Sequence, residues 1–179
     1  MRAGLTGKIV WGRDGGDADA LKDLDPVRWG GEAGGFAELY PTDWLRVRGE
    51  VRHGIRSHSG IVADVAVDAF KDITPSVRVS GGPRISFASA DYFEAYYGVN
   101  AAESAASGLS EYDPDGGIKS IGVGGAYDWK ATEKLTTSVF SEYSRLMGAA
   151  ADSSLVEERG SPNQFTFGVS AAYRFDFTM

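Results

Sequence analysis

Along residues 44–70, WLRVRGEVRHGIRSHSGIVADVAVDAF, charge and hydrocarbon alternate with a period of two. Leu45, Val47, Val51 and Ile55 fall on one side, and Arg46, Arg48, Glu50 and Arg52 on the other. After a turn-like Arg56-Ser57-His58-Ser59-Gly60 the alternation resumes, with Ala63, Val65, Val67 and Ala69 opposing Asp64 and Asp68. This periodicity predicts two β-strands joined as a hairpin. Folding about His58 places Arg52 opposite Asp64 and Arg48 opposite Asp68, so that charges pair across strands. Extended to the neighbours, the same register sets Glu38 against Arg46 across Pro41-Thr42 and lets Asp68 reach Arg78. The expectation is a four-strand charge ladder of Glu38, Arg46, Arg48, Arg52, Asp64, Asp68 and Arg78.

Similar alternation recurs at about 5–12, 31–40, 61–70, 77–87, 92–99, 118–129, 135–146 and 165–177, which predicts about nine strands and no helix. Short connections rich in turn residues, such as Tyr40-Pro41-Thr42-Asp43 and Lys130-Ala131-Thr132-Glu133, imply an antiparallel up-and-down meander. The faces are consistent from segment to segment. In FTFGVSAAYRFDF, Phe165, Phe167, Val169, Ala171, Tyr173, Phe175 and Phe177 share one side, while Thr166, Ser170, Arg174 and Asp176 share the other. Tyr40, Trp44, Phe87, Tyr92, Trp129, Phe175 and Phe177 sit near strand ends, where amphipathic rings suit a lipid headgroup level. An apolar face with an aromatic girdle predicts a membrane β-barrel.

Composition alters this picture little. The 179 residues suit one domain, taken as 1–179, and the absence of a long apolar run excludes a transmembrane helix but not a barrel. A net charge of −7 argues against nucleic acid as a partner. With no cysteine, disulfides and thiolate chemistry are excluded. The first twenty residues carry no secretory signal pattern. A single-chain bacterial barrel has an even number of strands, so about nine implies a barrel that lacks its N-terminal strands.

Two long segments, GGPRISFASADYFEAYYGVNAAESAASGLSEYDPDGG and YSRLMGAAADSSLVEERGSPNQFTFGVSAAYRF, resemble the MipA/OmpV family of outer-membrane β-barrel proteins. GRDGGDADALKDL and HSGIVADV extend the similarity over nearly the whole chain. Departures are Ser153-Ser154, where the family usually has Ser-Pro, and Thr178-Met179 after the last aromatic. The resemblance implies location in the bacterial outer membrane, outer-membrane lipid as a partner, and no enzymatic residues or cofactor. It also implies a scaffolding role linking a lytic transglycosylase to peptidoglycan synthesis. The alternatives are a passive channel for small solutes and a soluble ligand-binding barrel with its valine face inward.

Rival chemistries are weaker. His53, His58, Ser59 and Asp64 suggest a hydrolase constellation, but His53 is expected on the lipid face and His58 in a turn, neither with a buried carboxylate to orient it. Two histidines without cysteine make a poor metal site. GVGGAY at 122–127 lacks a following helix start for phosphate binding. The acidic loop at 12–26 does not match calcium-loop spacing and reads as solvated. With the C-terminus in the periplasm, nine strands put the loops at 100–116 and 148–163 outside and residues 12–28 inside.

Overall fold

The computed structural model describes residues 1–13, 16 and 21–175. Among them eight strands run antiparallel in chain order: β1 (Arg2–Val10), β2 (Gly30–Thr42), β3 (Leu45–Ile55), β4 (Ile61–Thr74), β5 (Val77–Ala88), β6 (Gly117–Lys130), β7 (Leu135–Leu146) and β8 (Asn163–Tyr173). Each pairs with the next, β1 and β8 form the two edges, and the sheet curves into a half-barrel. The alternation in sequence becomes two faces of opposite character. Outward residues such as Leu5, Phe167 and Val169 are 92%, 78% and 80% exposed, while the inward Glu32, Glu38 and Asp68 are 5%, 6% and 0% exposed. Burial is thus inverted relative to a water-soluble sheet.

The expected strand at 92–99 is not there. Its place is taken by helix α1 (Ala90–Tyr97), followed by α2 (Ala101–Ser107), α3 (Gly148–Ala151) and a π-helical turn at Leu155–Arg159. Tyr92, Phe93, Tyr96 and Tyr97 recur at helical spacing, so one face of α1 is aromatic. The Asn100 side chain accepts from the amides of Ala102 and Glu103, while Glu103 accepts from the amide of Asn100, a reciprocal cap that starts α2. Gly108 ends α2 in the left-handed region, at a φ of 77°.

One strand fewer changes the orientation of everything before it. The described residues of 11–29, together with 56–60, 89–116 and 147–162, lie at one end of the sheet, while the turns at 43–44, 75–76 and 131–134 lie at the other. The described residues of 12–28 therefore share an end with the other long loops, contrary to the nine-strand expectation; 14, 15 and 17–20 lie outside the described residues. These loops fold into a cap. Phe93, fully buried, packs with Val62, Ala88, Leu146, Ala150 and Val156 at the mouth of the concave face. Val99, Leu109 and Leu155 form a second small cluster with Leu21, Leu24 and Tyr112.

Candidate functional site: the charged concave face

The β3–β4 hairpin pairs Arg46 with Asp68 and Glu50 with Asp64 in register, one residue offset from a fold about His58. The turn sets this. Gly54 donates its amide to Gly60 carbonyl at 2.9 Å, and Arg56 takes a left-handed φ of 76°, which centres the loop on Ser57. Moving the centre by one residue keeps every side chain on its expected face but changes its partner. Asp68 accordingly takes Arg46 at 2.7 Å and Arg84 at 2.6 Å, not Arg48 or Arg78. Arg78 instead pairs with Asp72 at 2.6 Å, an exposed contact near the short-turn end.

The β2–β3 pairing is corrected in the same way. Glu38 lies opposite Arg48, which it binds at 2.9 Å, and reaches Arg46 only diagonally at 3.5 Å. The register slips between Leu39 and Thr42, where Pro41 has no amide hydrogen to give the ladder. Arg52 joins Asp64 and Glu32, each at 2.6 Å, and also contacts Glu50, which Arg48 contacts as well. Thr6 on β1 donates to Glu50 at 3.0 Å, and Arg84 approaches Glu142 on β7 at 3.8 Å. Around a cavity of about 350 Å³ the charges alternate in sign and are matched. Glu32, Glu50, Arg84 and Glu142 were missing from the expected ladder, although the first three share its period-two parity within their own strands.

At the capped end of this network His58 is buried, with its Nδ1 accepting from the Gly60 amide at 3.2 Å. Nε2 therefore carries the hydrogen and faces Glu32 Oε1 at 3.3 Å. The expectation that His58 lacks a buried carboxylate partner is overturned, because the turn folds inward over β2. Tyr92 and Tyr96 contact the ring edge-on at 4.9 and 5.7 Å. His53 lies exposed on the outer face, Ser59 is exposed, and Asp64 is held by Arg52 and Ser86, so the hydrolase constellation is not assembled. No three His, Asp or Glu side chains converge as metal ligands among the described residues.

The aromatic residues divide. Trp44, Trp129 and Phe175 are 57%, 51% and 69% exposed at the short-turn end, and Phe87 is outward near the cap. Tyr40 shares the inward parity of Glu38 and donates to it at 2.9 Å, so its hydroxyl is anchored on the concave side. Tyr92 belongs to α1, within the cap, where burial pushes its phenol well above the ordinary range. Phe177 lies outside the described residues. Outward Trp11 and Trp29, absent from the expected girdle, stand at the capped end, 79% and 56% exposed.

The family model of the MltA-interacting protein MipA matches residues 1–175. The chain belongs to the MipA family. None of the curated proteins compared with it matches the chain. MipA family membership accounts for the meander as a whole, whereas the particular ion pairs follow from the register of this chain. The glycines of 122–127, inside β6, serve strand packing in this MipA-family sheet: a Cβ on Gly122 would meet the Tyr143 carbonyl oxygen at 2.4 Å.

Proposed function

We propose that this MipA-family chain spans a bacterial outer membrane with its apolar face toward lipid and serves as a non-catalytic structural component of the envelope. The carrying observation is the inversion of burial, hydrocarbon outward and paired charge inward. Water outside would leave the apolar face without a favourable environment, and lipid supplies one. Brominated lipids in reconstituted vesicles test the reading: they should quench Trp44 and Trp129, and Val51→Arg near mid-strand should cost roughly 2–4 kcal/mol of stability. Water-soluble thiol reagent reaching a cysteine at Val51 in intact membranes would overturn it.

The family description names an interaction with MltA, a lytic transglycosylase, and this supports a scaffolding role in peptidoglycan turnover. A purified enzyme of that class should bind the reconstituted chain saturably. Conduction is the less favoured reading, because Phe93 and its neighbours fill the mouth at one end and arginine–carboxylate pairs line the interior.

A further inference from the structure

The outward face of the sheet is not uniformly apolar, and its charged exceptions share one sign. Among the described residues no strand position on this face carries Asp or Glu, and its basic side chains are His53, Lys71 and Arg145. Each stands toward an end of its strand rather than at the middle, although the chain as a whole bears a net charge of −7. A cation on a lipid-facing strand is costly at the bilayer centre and nearly free of cost at the headgroup level.

Arg145, next to the last residue of β7 at the capped end, differs from the arginines of the concave side. Arg46, Arg48, Arg52, Arg78 and Arg84 each have a carboxylate. Arg145 has none among the described residues and is held by an amide instead: its Nη1 donates to Asn163 Oδ1 at 3.3 Å. The Tyr143 hydroxyl donates to the same oxygen at 2.8 Å. With Oδ1 taken twice, the NH2 group of Asn163 donates to nothing among the described residues, and most of the Arg145 N–H groups are likewise free. The result is a fork of cationic donors beside a neutral one, without an acid to neutralise them.

Strand register builds the surroundings. Ile121, Arg145 and Asn163 form one row across β6, β7 and β8, Val123, Tyr143 and Phe165 the next, and Gly125, Ser141 and Phe167 a third. Ile121, Val123, Phe165 and Phe167 are all exposed, so hydrocarbon runs from the donors toward the middle of the sheet. Guanidinium and amide N–H groups together suit the several oxygens of a phosphoryl group, and the exposed wall suits chains attached to it. We propose that Arg145 and Asn163 bind the phosphoryl headgroup of an anionic lipid whose acyl chains lie along Ile121, Val123, Phe165 and Phe167. This inference rests on the reading that the outward face meets lipid, and adds to it a headgroup and the residues that hold it.

Quenching by brominated lipids tests the two separately. In the full chain the four native tryptophans are changed to Phe, and Phe167→Trp supplies a single reporter, roughly 14 Å along β8 from Asn163. In phosphatidylcholine vesicles, phosphatidic acid with brominated chains should associate with the reporter site roughly fivefold more strongly than phosphatidylcholine brominated at the same positions. Arg145→Gln should bring that ratio close to one while quenching by brominated phosphatidylcholine stays unchanged, which also reports that the variant is inserted. Lys71→Gln, toward the opposite end, should preserve the ratio, and millimolar inorganic phosphate should not lower it. Equal quenching by the two lipids in the reporter chain would overturn the headgroup site and leave the membrane reading standing. A preference that survives Arg145→Gln, or one abolished by inorganic phosphate, would also overturn the site. No quenching by either lipid would overturn the membrane reading, and the headgroup site with it.

Discussion

Asp68 is fully buried and accepts from two guanidiniums, Arg46 and Arg84, so removing it leaves both without their carboxylate. Asp68→Ala should cost about 3 kcal/mol in urea unfolding of the reconstituted chain, and Asp68→Ala with Arg46→Ala less than the sum of the single changes. The same cycle on Arg48 and Asp68 should be close to additive, because Arg48 is committed to Glu38 and Glu50. Comparison of the two cycles checks the register directly. Which face each of these residues occupies was legible from parity alone. Which partner each takes was not, because it depends on a turn in which His58 folds inward. Gly54 shows how close that fold is: a Cβ there would meet the His58 ring at 2.3 Å. Gly54→Ala should therefore destabilise the hairpin by roughly 1–3 kcal/mol, read from the same unfolding transition.

At the scale of elements, the strands were readable and α1 was not. DYFEAYYGV is short and aromatic, and aromatic residues favour strands, so its helical spacing competes with a β reading over only eight residues. Misreading that one element reversed the predicted side of residues 12–28. The capping pair Asn100 and Glu103 was a local sign of helix in a stretch that otherwise reads as loop. The cap also has its own chemistry. Burial raises the phenols of Tyr92 and Tyr97, so the folded cap holds these protons more tightly than the unfolded chain does. A group shifted in this direction contributes stability that is fully present below its unfolded value, about pH 10, and is lost as pH rises beyond it. In an alkaline titration followed by tyrosinate absorbance, Tyr92 and Tyr97 should ionise late. Proteolysis within 89–116 should accelerate in the same pH range while the strands remain protected. Ionisation of both at the ordinary pH of an exposed phenol would contradict the packing of α1.

For the whole molecule, the decisive feature is that β1 and β8 are edges. An edge exposed to water is normally blunted by lysine, proline or inward-pointing charge. The outer faces of both edges are apolar, where β1 presents Ala3, Leu5, Gly7 and Ile9, and β8 presents Phe165, Phe167, Val169, Ala171 and Tyr173; the charges of β1, Arg2 and Lys8, lie on its inner side. Within hydrocarbon the free amides and carbonyls of both strands need a strand partner, since lipid offers none. Two arrangements are distinguishable: the edges meet each other, or each is held by another strand. The half-barrel, with pairing that runs from β1 to β8 and does not return, favours the second. The chain contains no cysteine, so the test has a clean background. Thr6→Cys and Thr166→Cys put one thiol on the inner side of each edge strand. A disulfide requires Cα atoms within roughly 7 Å, a separation that directly paired strands provide and separated edges do not. Oxidation of the double variant in vesicles should give no intrachain crosslink at a chain concentration too low for encounters between copies. A rapid, concentration-independent crosslink would mean that eight strands close on themselves, and the edges would need no partner.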